Sequence, residues 1–237
     1  MLYRATGVVL RTIKLGEADR IVTICSAERG KIRAVAKGVR KTKSRFGGRL
    51  EPVSHVALQC YEGRELDTIT QVESVDGFRT IREDFDRLGR AISMLEAIDN
   101  ISQPGESNPR LYQMLVGALK SLNENDSPAI VASFYFKLLS FEGVRPVVEA
   151  CVSCNSAEPL VAFDPVEGGL LCRNCRRGMA VSPAAVALMQ RVLGGDMVSV
   201  LKEDATPATF ELIHVADEAL EAHLERRIRS RRLLDHS

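Results

Sequence analysis

The feature that most constrains this chain is a pair of Cys-x-x-Cys turns. Cys151 and Cys154 form the first turn, and Cys172 and Cys175 form the second after seventeen intervening residues. Each turn directs two thiolates toward one ion, and two such turns complete the tetrahedral four-sulfur shell that zinc prefers in structural sites. The spacing therefore predicts one structural zinc ion bound by these four cysteines. Two disulfides, or four unrelated thiols, are the alternatives.

The segment between the two turns has the pattern of a β-hairpin. Residues 160–163 and 170–171 are mostly apolar, and residues 164–169 between them include a proline and two glycines. A hairpin enclosed by two metal-binding turns is the layout of a zinc ribbon. A closed four-thiolate site leaves no position for water or substrate, so we expect the metal to be structural.

The first third of the chain is rich in strand patterns. Candidate strands cover 3–13, 20–26, 31–37, 53–61 and 67–75, with turn signals between them. Alternation is clearest in the fourth strand, where Val56, Leu58 and Cys60 share one face and His55, Ala57, Gln59 and Tyr61 share the other. Five short strands, with a basic outer face and a basic loop between the third and fourth, predict an OB-fold β-barrel over residues 1–78. That fold binds a nucleic-acid backbone in a groove.

Charge is distributed unevenly along the chain. The net charge is +1, yet residues 1–50 contain thirteen Lys or Arg against three acids, and 29–50 contain no acid. Such a concentration predicts a polyanion site, although a charge run is more often a solvated surface. The candidate DNA-binding residues lie on the outer face of the third strand and in the loop after it: Lys31, Arg33, Lys37, Arg40, Lys41, Lys43, Arg45 and Arg49.

Three aromatic side chains in this module are candidates for stacking on bases. They are Tyr3, Phe46 and Tyr61, and each is at least as well explained by packing in the barrel. We therefore expect this site to bind nucleic acid mainly through charge–charge interactions with the phosphates.

From residue 79 onward the apolar period becomes helical, which predicts a helical domain over 79–237 with the zinc ribbon inserted at 149–178. Helices are expected over 81–102, after Pro104-Gly105, from Ser127-Pro128 to Gly143, over 184–193 after the Ser182-Pro183 cap, and over 207–234. The last helix ends in an arginine cluster that is either a nucleic-acid or partner contact or a solvated helix end. Its members are Arg226, Arg227, Arg229, Arg231 and Arg232.

The chain has neither the pattern of a signal peptide at its start nor an apolar run of membrane-spanning length, so we expect a cytoplasmic protein. In that setting Cys25 and Cys60, which fall in predicted strands, are interpreted as small buried residues rather than a disulfide.

Several motifs together resemble the DNA repair protein RecO family. They are Gly16-Glu-Ala-Asp-Arg-Ile21, Ala36-Lys-Gly-Val-Arg-Lys41, Lys43-Ser-Arg-Phe-Gly-Gly-Arg-Leu-Glu-Pro52 and the ribbon segment Gly168-Gly-Leu-Leu-Cys172. The resemblance covers essentially the whole chain in the order barrel, helical domain, inserted ribbon. Two departures are visible: Val53 stands where the family often has phenylalanine, and Asn155 stands where glycine is common. Asparagine tolerates a left-handed backbone, so the second departure is compatible with zinc binding.

The resemblance implies a recombination mediator that performs no covalent chemistry. Proteins similar to this one bind single- and double-stranded DNA, anneal complementary strands and engage the C-terminal tail of the single-strand binding protein SSB. With RecR they help load RecA onto SSB-coated DNA. A bacterial, nucleoid-associated location follows from the same resemblance. Basic residues of the helical part that would suit the acidic SSB tail are Arg110, Lys120 and Lys137.

Two other classes of protein share features with this chain. An OB-fold enzyme such as a DNA ligase needs a Lys-x-Asp-Gly motif, which the sequence lacks, as it lacks Walker, His-Glu-x-x-His and Gly-x-Ser-x-Gly motifs. A zinc-ribbon RNA-binding or transcription factor is the second alternative, because an OB-fold accepts RNA and single-stranded DNA on similar grounds.

Overall fold

A computed structural model describes residues 1–228 and Ser230. It separates into two compact units, one formed by residues 1–124 together with Ser230 and the other beginning at Asn125. None of the helices within residues 1–228 has the length and hydropathy that a bilayer-spanning segment needs.

The first unit contains the predicted five-stranded barrel. Its strands are β1 (Leu2–Leu15), β2 (Asp19–Ser26), β3 (Gly30–Ala36), β4 (His55–Tyr61) and β5 (Asp67–Asp76). They close in the order β1-β2-β3-β5-β4, with a short parallel contact between β3 and β5 and antiparallel pairing elsewhere. The interior is filled by alternate side chains of the strands, as the sequence pattern predicts; Val56, Leu58 and Cys60 of β4 are all buried there.

Three helices follow the barrel within the same unit: α1 (Arg79–Glu83), α2 (Phe85–Ile101) and α3 (Pro109–Glu124). The prediction of one helix over 81–102 is wrong in this respect. Asp84 has extended backbone angles, and its side chain accepts a hydrogen bond from the Arg87 N–H, so it caps α2 and separates it from α1. The predicted leucine stripe of α3, formed by Leu111, Leu115, Leu119 and Leu122, is fully buried.

The N-terminal end of β4 is covered by α3 at His55, and α2 and α3 also contact β1. His55 is 7% exposed, and its Nε2 lies 2.7 Å from the Tyr112 hydroxyl of α3. The barrel therefore has a helix-covered side and an open side, and the open side positions the candidate nucleic-acid interface.

The second unit begins with α4 (Ala129–Phe141), which is buried nearly all round as its apolar sequence predicts. The ribbon strands β6 (Leu160–Asp164), β7 (Gly169–Cys172) and β8 (Met179–Ala180) come next, followed by α5 (Pro183–Leu193), α6 (Met197–Val200) and α7 (Pro207–Leu224). The predicted cap is present, because the Ser182 side chain accepts from the Ala185 N–H at the start of α5.

The last helix ends earlier than its predicted limit at residue 234. Glu225 adopts a left-handed backbone conformation, φ 50°, which terminates α7 at Leu224. Arg226 and Arg227 therefore follow the helix, and Arg229, Arg231 and Arg232 lie outside the described residues.

Candidate nucleic-acid interface and metal centre

The structure brings the four predicted metal ligands together. The Sγ atoms of Cys151, Cys154, Cys172 and Cys175 all lie within 4.8 Å of one another, and those of Cys154 and Cys172 are 3.7 Å apart. A tetrahedron with zinc–sulfur bonds of about 2.3 Å has sulfur–sulfur edges of about 3.8 Å. The cluster therefore has the dimensions of a four-thiolate metal site.

Local backbone geometry favours this arrangement at the first turn. Asn155 adopts φ 58°, the left-handed conformation that the sequence predicts asparagine to tolerate. Its N–H donates to the Cys151 carbonyl at 2.8 Å, and the Cys151 N–H donates to the Ser156 carbonyl at 3.0 Å. Burial raises the pKa of the Cys151 thiol, but N–H groups of Cys172, Cys154 and Ser153 outweigh it and lower the pKa to about 6. A thiolate, the form that binds metal, is thereby favoured.

The loop of the hairpin that joins the two turns is stabilised by the side chain of Asp164. The Asp164 carboxylate accepts from the N–H groups of Val166 and Glu167 and forms an ion pair with Arg177 at 2.8 Å. Gly169 permits a close approach, since a Cβ there would lie 2.8 Å from the Val152 Cβ. Val147 and Val152 hydrogen-bond to the β7 side of the hairpin, which ties the ribbon to the chain before it.

The outer face of β3 carries part of the predicted basic surface. Ile32, Ala34 and Ala36 point into the barrel, and Arg33 and Lys37 are exposed on the other side. Lys31 differs from them: its side chain is only 14% exposed, and its Nζ lies 3.1 Å from the Asp99 carboxylate of α2. This pair has no signal in the sequence, because its members are far apart along the chain.

The basic loop after β3 is anchored to the barrel by two apolar side chains. Phe46 and Leu50, at the two ends of a 3-10 turn (Gly47–Leu50), are each 1% exposed within the barrel core. The charged side chains between and before these anchors remain exposed, namely Lys41, Lys43, Arg45 and Arg49. The loop is thus held in place while its cations face solvent.

Arg40 bonds outside its own loop, whereas the Arg49 Nη1 donates to the Arg45 and Phe46 carbonyls within the loop at 3.1 and 3.2 Å. The Arg40 Nη1 donates to the backbone carbonyl of Glu17 at 2.8 Å and to that of Gly16 at 3.3 Å. Its own N–H donates to the Ala18 carbonyl at 2.9 Å. Arg40 therefore fastens the basic loop to the β1–β2 turn.

If the hydrogen bonds of Arg40 to the β1–β2 turn serve only to position the loop, Arg40→Gln is expected to weaken DNA binding several-fold without changing its salt dependence. Lys41→Gln, the matched control in the same loop, should reduce the log–log salt slope for single strands by roughly 0.7. Titrations of labelled DNA at several salt concentrations measure both. An equal fall in slope for the two variants would place Arg40 on a phosphate instead.

The candidate stacking residues separate into two groups. Tyr3 is 8% exposed, with its hydroxyl bonded to Asp67 and the Arg29 guanidinium 3.8 Å from its ring centroid, and Phe46 is buried in the core. For these two the packing interpretation is correct and stacking on bases is excluded. Tyr61 is 58% exposed and remains a candidate for stacking on bases.

The two cysteines outside the cluster are buried, as the sequence predicts. Cys25 and Cys60 are buried without a disulfide, and burial raises their thiol pKa values to about 12 and about 11. Arg110, Lys120 and Lys137 are all exposed, which does not select one of them as an SSB contact.

Comparison with known proteins decides the family. A family model described as Recombination protein O N terminal matches residues 1–78, and one described as Recombination protein O C terminal matches residues 82–232. The chain belongs to the RecO family. A DNA repair protein RecO from a Nocardioides species is 41% identical over 239 residues, which cover 97% of this chain and 98% of the relative. The RecO protein of Thermobifida fusca is 38% identical over 243 residues, which cover 100% of this chain and 99% of the relative. The RecO protein of Bifidobacterium longum is 42% identical over 240 residues, which cover 99% of each chain.

RecO membership supports a role in DNA repair and recombination for this chain. The OB-like barrel, the helical part and the four-cysteine cluster agree with the architecture that the sequence motifs imply.

Proposed function

We propose that this protein is a non-catalytic recombination mediator that binds single- and double-stranded DNA and anneals complementary strands. Residues 1–78 are proposed as its nucleic-acid-binding domain and residues 79–237 as the helical part with the ribbon, 149–178, inserted; the first three helices of that part belong to the compact unit of the barrel. The observation that carries the proposal is the exposed basic loop anchored beside the outer face of β3.

The contacts to DNA are assigned to side chains that are exposed on this surface. They are Arg33, Lys37, Lys41, Lys43, Arg45 and Arg49. Arg40 is assigned to positioning the loop, and Lys31 is not assigned a DNA contact because it forms an ion pair with Asp99. A cationic surface that holds two strands screens their phosphate repulsion and raises their local concentration. Base pairing then supplies the sequence specificity, so the protein needs no contacts to base edges.

The cysteine cluster is assigned one zinc ion with a structural role. Its four thiolates leave no open coordination position, so the metal orders the ribbon and takes no part in chemistry. Cooperation with RecR in loading RecA, and docking on the acidic SSB tail, belong to the same proposal and are supported by the family relationship.

Strand annealing tests this proposal. The rate should fall steeply as salt rises, because counterion release drives strand capture, and it should need neither ATP nor magnesium. Annealing of SSB-coated strands should depend on the SSB tail, whereas annealing of naked strands should not. Equal rates with intact and tailless SSB would contradict tail docking, and no acceleration of naked strands over the protein-free rate would contradict the annealing function.

A further inference from the structure

Three aliphatic side chains lie side by side on the outside of the barrel. In the antiparallel register Ile13 of β1 is opposite Ile21 of β2, and Ile21 is opposite Val35 of β3. Residues directly opposite in neighbouring strands project from the same face of a sheet. Interior positions on either side, such as Val22 and Ala34, are in the core, so this set points outward. We call Ile13, Ile21 and Val35 the aliphatic row.

The row lies on the part of the outer face that the helices leave open. In the next two rows of the same face, Thr23 and Cys25 are 1% and 2% exposed, and their respective neighbours Arg11 and Lys31 form ion pairs with Asp99 of α2. By contrast Ile13 is 47% exposed, Ile21 and Val35 are half-buried, and Leu15 at the hairpin tip is 38% exposed. Isolated exposed aliphatic residues are ordinary, but three in register make a continuous apolar strip.

Cations border this strip. Arg33 projects from the same face of β3 two residues before Val35, and Lys37 follows two residues after it. The loop containing Lys41 begins beside the β1–β2 turn, to which Arg40 fastens it. Asp19, at the start of β2, accepts a hydrogen bond from the Gly38 N–H at 2.7 Å. An apolar strip with cations along its border is complementary to a chain that has apolar faces and phosphate edges.

We propose that the aliphatic row is the base-contacting subsite for single-stranded DNA, with Arg33 and Lys37 on the flanking phosphates. The row crosses three strands, a width of about 10 Å, so it would contact part of an OB-fold site, which spans about 4–16 nucleotides. In OB-folds the face of strands two and three and the loop between strands one and two are the usual nucleic-acid contact. Neither β2 (Asp19–Ser26) nor β3 (Gly30–Ala36) contains an aromatic residue.

Aliphatic contact in place of aromatic stacking suits a protein that anneals strands. Base–aromatic stacking is strong for every base and holds a single strand tightly. Contact with branched aliphatic side chains covers the base and sugar faces more weakly and leaves the pairing edges exposed. The strand can then leave the row as its bases pair. This inference rests on the proposed function, since it assigns a subsite to the same DNA-binding surface.

The triple variant Ile13→Thr, Ile21→Thr, Val35→Thr tests the subsite, because threonine preserves strand propensity and removes apolar contact. Its affinity for single-stranded oligothymidylate is expected to fall about tenfold, while the log–log salt slope stays that of wild type. Duplex affinity should change little, since stacked bases are not accessible. Val75→Thr, an exposed position of β5 (54%), is the matched control and should bind as wild type.

A gain of affinity provides the second measurement. Ile21→Tyr places an aromatic ring in the centre of the row and is expected to tighten binding to single strands about tenfold while slowing annealing. Far-ultraviolet circular dichroism and the thermal midpoint establish that each variant is folded.

The outcomes separate this inference from the proposed function. If wild type binds no DNA, the proposed function fails. If wild type binds DNA while the folded triple variant and Ile21→Tyr bind single strands as wild type does, the subsite is overturned alone. An equal loss of affinity for single strands and for duplex in the triple variant would also overturn the subsite. Normal DNA binding combined with loss of SSB binding in that variant would overturn it too, because the row would then be a protein-docking surface.

Discussion

Replacing Cys154 with serine is expected to release the metal and to unfold the ribbon. Wild type should contain one zinc ion per chain, and metal analysis of the variant should find zinc well below that. Structural zinc contributes on the order of 10–16 kcal/mol in isolated fingers, which is comparable with the total stability of a whole domain, about 5–15 kcal/mol. Cys154 is exposed, so its substitution removes a ligand without creating a cavity in the core. Poor solubility and a thermal midpoint many degrees lower are the expected consequences.

Cys25→Ala is the matched control for this substitution. Cys25 is a buried barrel cysteine outside the cluster, so its loss should leave the zinc content at one per chain. Full zinc occupancy with an unchanged thermal midpoint in Cys154→Ser would contradict the four-thiolate assignment. Iron in place of zinc in wild-type protein would contradict the choice of metal, because a four-sulfur tetrahedron accepts either.

The parts of this fold that the sequence predicted are those set by local pattern. All five barrel strands fall within about two residues of their predicted bounds, because period-two alternation and glycine turns are short-range signals. The ribbon followed from the cysteine spacing, and the left-handed Asn155 followed from the backbone that the first turn requires.

The parts that the sequence did not predict depend on distant contacts or on a single backbone conformation. The sequence pattern predicts that Lys31 is a surface cation, but in the structure it forms an ion pair with Asp99, which lies in another element. The break at Asp84 and the end of α7 at Glu225 each depend on one residue that leaves the helical region within an otherwise helical pattern.

Val53 shows how tertiary structure overrides a local preference. It adopts φ 75°, which is unfavourable for a branched residue, and it is fully buried. Its N–H donates to the Val9 carbonyl, and the Val9 N–H donates to the Ser54 carbonyl, which fixes the chain as it enters β4. A residue in this place packs in the interior, so the departure from phenylalanine at position 53 does not concern stacking on DNA.

Reversing three exposed lysines of the basic surface is expected to weaken DNA binding on the order of a hundredfold, for all sequences. The variant is Lys37→Glu, Lys41→Glu, Lys43→Glu, which leaves Arg40 in place so that the loop keeps its attachment to the β1–β2 turn. If each lysine contacts one phosphate, the log–log salt slope should fall by about 2 for single strands and by nearly 3 for duplex. Titrations of labelled single-stranded and duplex DNA across a salt series measure this change.

A second triple reversal separates contact from overall charge. Lys120, Lys137 and Lys202 are also exposed, and their reversal to glutamate changes the net charge by the same amount. Because fields from exposed charges are screened within about 8–10 Å at physiological salt, this control should retain most of the wild-type affinity and slope on naked DNA. Equal losses in the two variants would mean that net charge alone attracts DNA. An unchanged slope in the folded first variant would mean that Lys37, Lys41 and Lys43 are solvated side chains, and the assignment of strand capture to this surface would be wrong.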